Sequence, residues 1–194
     1  MYGRGHLACT FKLKVNFYLA SIAESPAQTL CKSCGMCCSG QLFAWVRLNA
    51  NELDRSEALG LNVIRNDPRQ RGFTQPCPLW NGICTVYTSL DYPRSCGTYK
   101  CKVLKQLLEG DISLSSGLST IQETLTMIRD IEMLLPASPP SMSFRERLIA
   151  HKEMLEKSNE QYGDIEQEFL SKAGELLTRY EDRFGVDDFI DYDS

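Results

Sequence analysis

Between residues 118 and 135 the apolar side chains Leu118, Ile121, Leu125, Ile128, Ile131 and Leu135 recur every three or four positions. That spacing puts them on one face of an α-helix, which the proline-rich stretch Pro136 to Pro140 ends. Ser143 and Glu146 match a capping box and predict a second helix, with Phe144, Leu148, His151 and Leu155 on one stripe. Asp164 and Gln167 open a third, where Ile165, Phe169, Ala173, Leu176, Tyr180 and Phe184 form the apolar face. Helices joined by short turns predict a helical bundle over 111–185. The aspartate-rich end, 186–194, reads as a solvated acidic tail.

The first half follows a different pattern. Residues 1–27 show no clear period and read as an N-terminal arm. Leu42 to Leu48 reads as a short strand, carrying the β-prone Phe43, Trp45 and Val46. Asn49 or Asn51 caps a short helix running to about Leu59, with Leu53, Ala58 and Leu59 inward and Gly60 as its stop. Residues 65–78 are polar and broken by proline, which predicts a loop. Asn81-Gly82 predicts a tight turn between Leu79-Trp80 and Ile83 to Tyr87, with Cys77 and Cys84 at the base of a hairpin. A helix follows from Cys101 to Glu109, closed by Gly110. The fold class expected is mainly α: an irregular cysteine-rich module with a short hairpin, then a helical bundle.

The chain has 194 residues, 43% hydrophobic and 24% charged, which fits a globular protein and excludes a collagen-like or wholly disordered one. Its charge is unevenly placed. Residues 1–105 carry 13 basic and 6 acidic side chains and residues 106–194 carry 8 and 19, so +7 and −11 give the formal −4. The basic residues are scattered and form no stacking motif with aromatics, so no nucleic-acid partner is expected. Val15 to Ala23 is too short an apolar run to span a bilayer, and no membrane partner is expected.

Nine cysteines, at 9, 31, 34, 37, 38, 77, 84, 96 and 101, all fall in the first 101 residues. Four lie between Cys31 and Cys38, closer than disulfide partners usually sit, and this is ligand spacing. Cys31, Cys34 and Cys37, read as a loop with Gly35, can turn their sulfurs toward one centre. Cys38, adjacent to Cys37, tends to point the other way and can serve a second metal. Cys77, Cys84, Cys96 and Cys101 supply up to four more thiolates, enough for two four-coordinate sites or one polynuclear cluster. Thiolates accept both zinc and iron, and the CxxCxxC run with a remote Cys leans toward an iron-sulfur cluster. Lys32, Arg94, Lys100 and Lys102 are expected to favour thiolate over thiol. Unbridged thiolates belong in a reducing compartment, so a cytoplasmic location is expected. Cys9 has no partner in the pattern and reads as an incidental thiol. His6 and His151 suggest no catalytic triad, and His151 reads as a core histidine.

The run Cys31-Lys-Ser-Cys34-Gly-Met-Cys37-Cys38 precedes Val46-Arg-Leu48 and a Glu52-led helix. Cys77-Pro-Leu79, Gly82-Ile-Cys84-Thr-Val-Tyr87, Pro93-Arg-Ser-Cys96 and Tyr99-Lys-Cys101 follow. Together they resemble the CxxCxxCC family, the YkgJ-type zinc- or iron-chelating domain, over about residues 28–105. The resemblance implies metal chelation by the eight cysteines from Cys31 to Cys101 within a domain spanning 28–108. A related cluster in flagellin lysine N-methylases makes a protein-modifying enzyme one alternative function. A zinc-stapled module whose acidic helices bind a protein partner is another. Tyr92 and Gly97 stand where the family usually carries arginine, with Arg94 as the candidate substitute.

Overall fold

The computed structural model describes residues 24–67, 69–87, 89–158 and 161–186. His6, Cys9, most of the N-terminal arm and the aspartates of the acidic tail lie outside the described residues.

The protein is mainly α, as its apolar periodicity predicts, but a helix begins where an arm and a loop were expected. Helix α1 spans Pro26–Cys34. The Gln28 backbone N–H donates to Ser25 Oγ at 3.3 Å, and the Ser25 N–H donates to Gln28 Oε1 at 2.9 Å. This reciprocal cap precedes Pro26, whose missing N–H costs nothing in a first turn. Gly35, at φ 65°, ends the helix in the left-handed conformation. Cys31 and Cys34 therefore sit one turn apart on a helix rather than on an open loop.

Strand β1 (Trp45–Arg47) leads into a 3₁₀ turn, Ala50–Glu52, and helix α2, Leu53–Ala58. Asn49 is the cap, and Ser56 rather than Ala58 is buried beside Leu53. Strands β2 (Val63–Ile64) and β3 (Gly72–Thr74) complete an antiparallel sheet in the order β1-β3-β2, with Val46 opposite Phe73. Strand β3 lies inside the stretch expected to be loop. Gly72 permits it, because a Cβ there would fall 2.0 Å from the Val46 carbonyl oxygen. The hairpin expected around Asn81-Gly82 is reduced to one antiparallel bridge between Trp80 and Cys84.

Helix α3 spans Arg94–Thr98 and α4 spans Lys102–Glu109, with Cys101 as the residue before its first turn. The bundle follows as α5 (Leu114–Glu132), α6 (Phe144–Lys157) and α7 (Asp164–Arg179), extended by a π-helical turn, Tyr180–Phe184. Ser143 and Glu146 form the predicted capping box. Gly163, not Asp164, precedes α7, and Ile165 is 63% exposed because it falls outside the buried stripe of Phe169, Ala173 and Leu176. Val186, expected in the solvated tail, is buried, and its N–H donates to the Tyr180 carbonyl at 3.1 Å.

Two cores result. The larger joins Ile121, Ile128 and Ile131 of α5 and Phe169, Ala173 and Leu176 of α7 to Leu30, Met36, Leu42, Val103 and Leu104. The smaller, Leu48, Leu53, Leu61 and Phe73, lies against the sheet. Helix α6 is tied to the loop after Cys38, since the Arg145 N–H donates to the Gly40 carbonyl at 3.0 Å.

Candidate metal centre

The eight expected cysteines arrive from separate elements. Cys31 and Cys34 come from the last turn of α1, Cys37 and Cys38 from the turn after it, and Cys77 from the loop after β3. Cys84 comes from the Trp80 bridge, Cys96 from α3 and Cys101 from the start of α4. All eight are half-buried free thiols. All but Cys77 line one mostly apolar cavity of about 490 Å³. Among the described residues, no group of three or more His, Cys, Asp or Glu side chains stands in ready-made ion-binding geometry.

The thiols fall into two neighbourhoods. Burial pushes Cys31 up to about 11, and Cys101 adds to the shift. Burial takes Cys34 to about 12, opposed by the Met36 N–H and reinforced by Cys101 and Cys31. Cys37 is raised by burial, then by Cys34, Cys101, Cys38 and Cys31. On the other side, burial raises Cys38, followed by Cys84, Cys77, Cys96 and then Cys34. Burial takes Cys96 up to about 12, with Cys77, Cys84 and Glu52 adding.

Several sulfurs also accept backbone N–H bonds, which stabilise a thiolate. Cys77 is raised first by burial, but the N–H groups of Leu79 and Trp80 oppose this. Cys101 is likewise raised by burial and opposed by the N–H groups of Leu104 and Val103 in the first turn of α4, and by Lys105. Lys105 is thus a cation that acts on a sulfur, although sequence spacing pointed to Lys32, Arg94, Lys100 and Lys102. Lys32 instead lies over the Tyr87 ring, 5.1 Å from its centroid, and pairs with Glu24.

Aromatic side chains wall the cavity. Trp80 lies against Gly35, where a Cβ would meet its ring at 2.0 Å. Phe43 and Tyr99 stack edge to face at 5.1 Å, and Tyr87 and Tyr92 lie 5.5 Å apart. The Tyr92 hydroxyl donates to the Cys96 carbonyl at 3.4 Å.

Glu52 is the residue whose role in the site was not legible in the sequence. Its buried carboxylate accepts the Arg94 N–H at 2.9 Å and, through its other oxygen, the Asn49 N–H and side-chain amide at 3.1 and 2.8 Å. Ser95 Oγ donates to the Arg47 carbonyl at 2.5 Å. These two bonds fix the segment that presents Cys96. His151 packs edge-on against Phe169, 4.6 Å between centroids, away from the thiols. No helix among the described residues is long and apolar enough to cross a membrane. Compared with known proteins, the chain matches no family model, no curated protein and no solved structure.

Proposed function

We propose that this is a metal-binding protein whose eight cysteines from Cys31 to Cys101 hold a thiophilic metal as zinc or an iron-sulfur cluster. One observation carries the reading: of eight half-buried thiols outside any disulfide, seven from distant segments line one mostly apolar cavity, and the eighth, Cys77, hydrogen-bonds through its backbone N–H to Cys38. A small module has no energetic reason to crowd this many thiols together unless they share a ligand. Soft sulfur donors select zinc or iron with sulfide over oxygen-seeking cations. The donor set fits either. Burial holds these groups as thiols in the absence of metal, and the backbone N–H groups at Cys34, Cys77 and Cys101 offset part of that, as they would for bound thiolates.

The CxxCxxC run with remote cysteine partners leans toward iron with sulfide. The bound group would supply cross-links between α1, α3, α4 and the loops, and, if iron, a site able to change redox state. Aromatic walls from Trp80, Tyr87, Tyr92 and Tyr99 would keep water from it.

Metal and acid-labile sulfide analysis, with an absorption spectrum of protein purified anaerobically without chelators, tests this. Iron with sulfide and a broad visible band is the expected result. Zinc in colourless protein would keep the metal assignment and make its role structural. Protein free of metal that also takes none up on reconstitution would overturn it.

A further inference from the structure

The geometry points to two separate four-thiolate centres, one formed by Cys31, Cys34, Cys37 and Cys101 and the other by Cys38, Cys77, Cys84 and Cys96. The division rests on the metal-binding reading above and adds the number and membership of the sites. It runs through the Cys37–Cys38 peptide bond.

Packing divides the cysteines without any reference to charge. Cys31, Cys34, Cys37 and Cys101 all pack on the larger core that α5 and α7 share with α1 and α4. Cys77 and Cys96 pack on the other core, with Leu48, Leu53, Leu61 and Phe73 beneath the sheet. Cys38 joins the second group through its backbone, because its carbonyl accepts the Cys77 N–H at 2.8 Å. Cys84 joins through the Trp80 bridge, since the Trp80 N–H bonds back to the Cys77 carbonyl at 3.0 Å.

Through-space neighbours divide them the same way. Cys101 acts on Cys31, Cys34 and Cys37, whereas the thiols that act most on Cys38 are Cys84, Cys77 and Cys96. The influences that cross between the groups, Cys38 on Cys37 and Cys34 on Cys38, involve the adjacent pair Cys37–Cys38 at the seam. Two of the three tyrosines beside the thiols follow the same division, and Tyr87, which neighbours both Cys31 and Cys84, stands at the seam. Burial and then Cys37, Cys101 and Cys34 raise Tyr99, while burial and then Cys96, Cys84 and Cys38 raise Tyr92. A single cluster ligated by all eight would mix these neighbours. Each group instead combines a local set with a distant closing ligand, Cys101 for the first and Cys38 for the second, so each centre ties two segments together.

Two measurements on the full-length protein test the division. In a cobalt(II) titration of reduced, metal-stripped protein, the thiolate-to-metal charge-transfer band should stop rising at two equivalents. The C31S/C101S and C77S/C96S variants should each stop at one equivalent, and C31S/C77S should show no four-thiolate spectrum. In the unmodified protein loaded with ¹¹³Cd, NMR should show two all-thiolate signals without cadmium-cadmium coupling, because coupling requires a bridging sulfur. A wild-type end point at one equivalent, mutual coupling, or loss of both centres in a same-group variant would overturn the division while leaving metal binding intact. Failure to take up either ion would overturn the metal reading itself.

Discussion

Glu52 accepts the backbone N–H of Arg94 at 2.9 Å across 42 residues of sequence. Cys96 lies two residues further along, so a carboxylate in the turn before α2 sets the position of a proposed ligand in α3. Glu52→Ala leaves the Arg94 N–H and the Asn49 groups without this charged acceptor. It should cost about 1–3 kcal/mol in urea unfolding and lower metal content. Glu52→Gln, which keeps an oxygen, should cost less.

The same carboxylate predicts an acid-dependent stability. Burial would raise its pKa, but the hydrogen bonds from Arg94 and Asn49, with Arg55 nearby, hold it below the ordinary carboxylate value. A lowered folded-state pKa stabilises the fold above the unfolded value of about 4.3, and the contribution disappears as pH falls through the folded value. The unfolding free energy of Glu52→Gln should therefore fall less steeply than wild type below about pH 4.3. Parallel acid limbs for the two proteins would contradict this.

Gly35 carries two constraints, a φ of 65° and the Trp80 ring where a Cβ would lie. Gly60 carries only the first, with φ 90° and open space around it. Alanine at Gly60 should cost about 1–2 kcal/mol for the left-handed backbone. Alanine at Gly35 should cost a further 1–3 kcal/mol or so for overpacking and loosen the turn between Cys34 and Cys37. Equal urea midpoints for the two variants would show that Trp80 gives way without cost.

Tyr180 is fully buried and its hydroxyl has no hydrogen-bond partner among the described residues, while the Arg145 guanidinium lies 5.5 Å from its ring centroid. Tyr180→Phe keeps the ring and removes the orphan oxygen. The metal-free protein should be unchanged or stabilised by up to about 1 kcal/mol. A loss larger than that in thermal unfolding would mean that the hydroxyl has a partner.

Removing the proposed metal should loosen the bundle as well as the cysteine region, because Leu30, Val103 and Leu104 share a core with Ile121 and Ile128. A site lost at 1,000-fold saturation withdraws about 4 kcal/mol, or roughly 10 °C in Tm for a chain of this size. Amide exchange should rise along α5 together with α1. Protection of α5 that is unchanged after chelation would separate the two regions.

Helices α5 to α7 were legible because their faces are long enough for a period of 3.6 to emerge and Ser143 and Glu146 mark a start. Helix α1 was not, since Leu30 is its only fully buried side chain and its cysteines read as ligands rather than as a helical face. Its signal was present in Ser25-Pro26-x-Gln28 and Gly35. Strand β3 escaped because it is only three residues long and is paired on both sides, a tertiary circumstance with no local mark. The eight candidate thiols were legible from spacing alone. Their grouping was not, because Cys101 meets Cys31 and Cys34 only when α4 packs on α1. The adjacency of Cys37 and Cys38 was the one clue to it in the chain.

X-ray absorption at the edge of whatever metal the anaerobically purified protein carries tests the central claim most directly. The account predicts a first shell of sulfur alone, at about 2.3 Å if the metal is zinc, which Cys34→Ala and Cys84→Ala each diminish. A shell containing nitrogen or oxygen donors, or metal content unchanged in both variants, would contradict it.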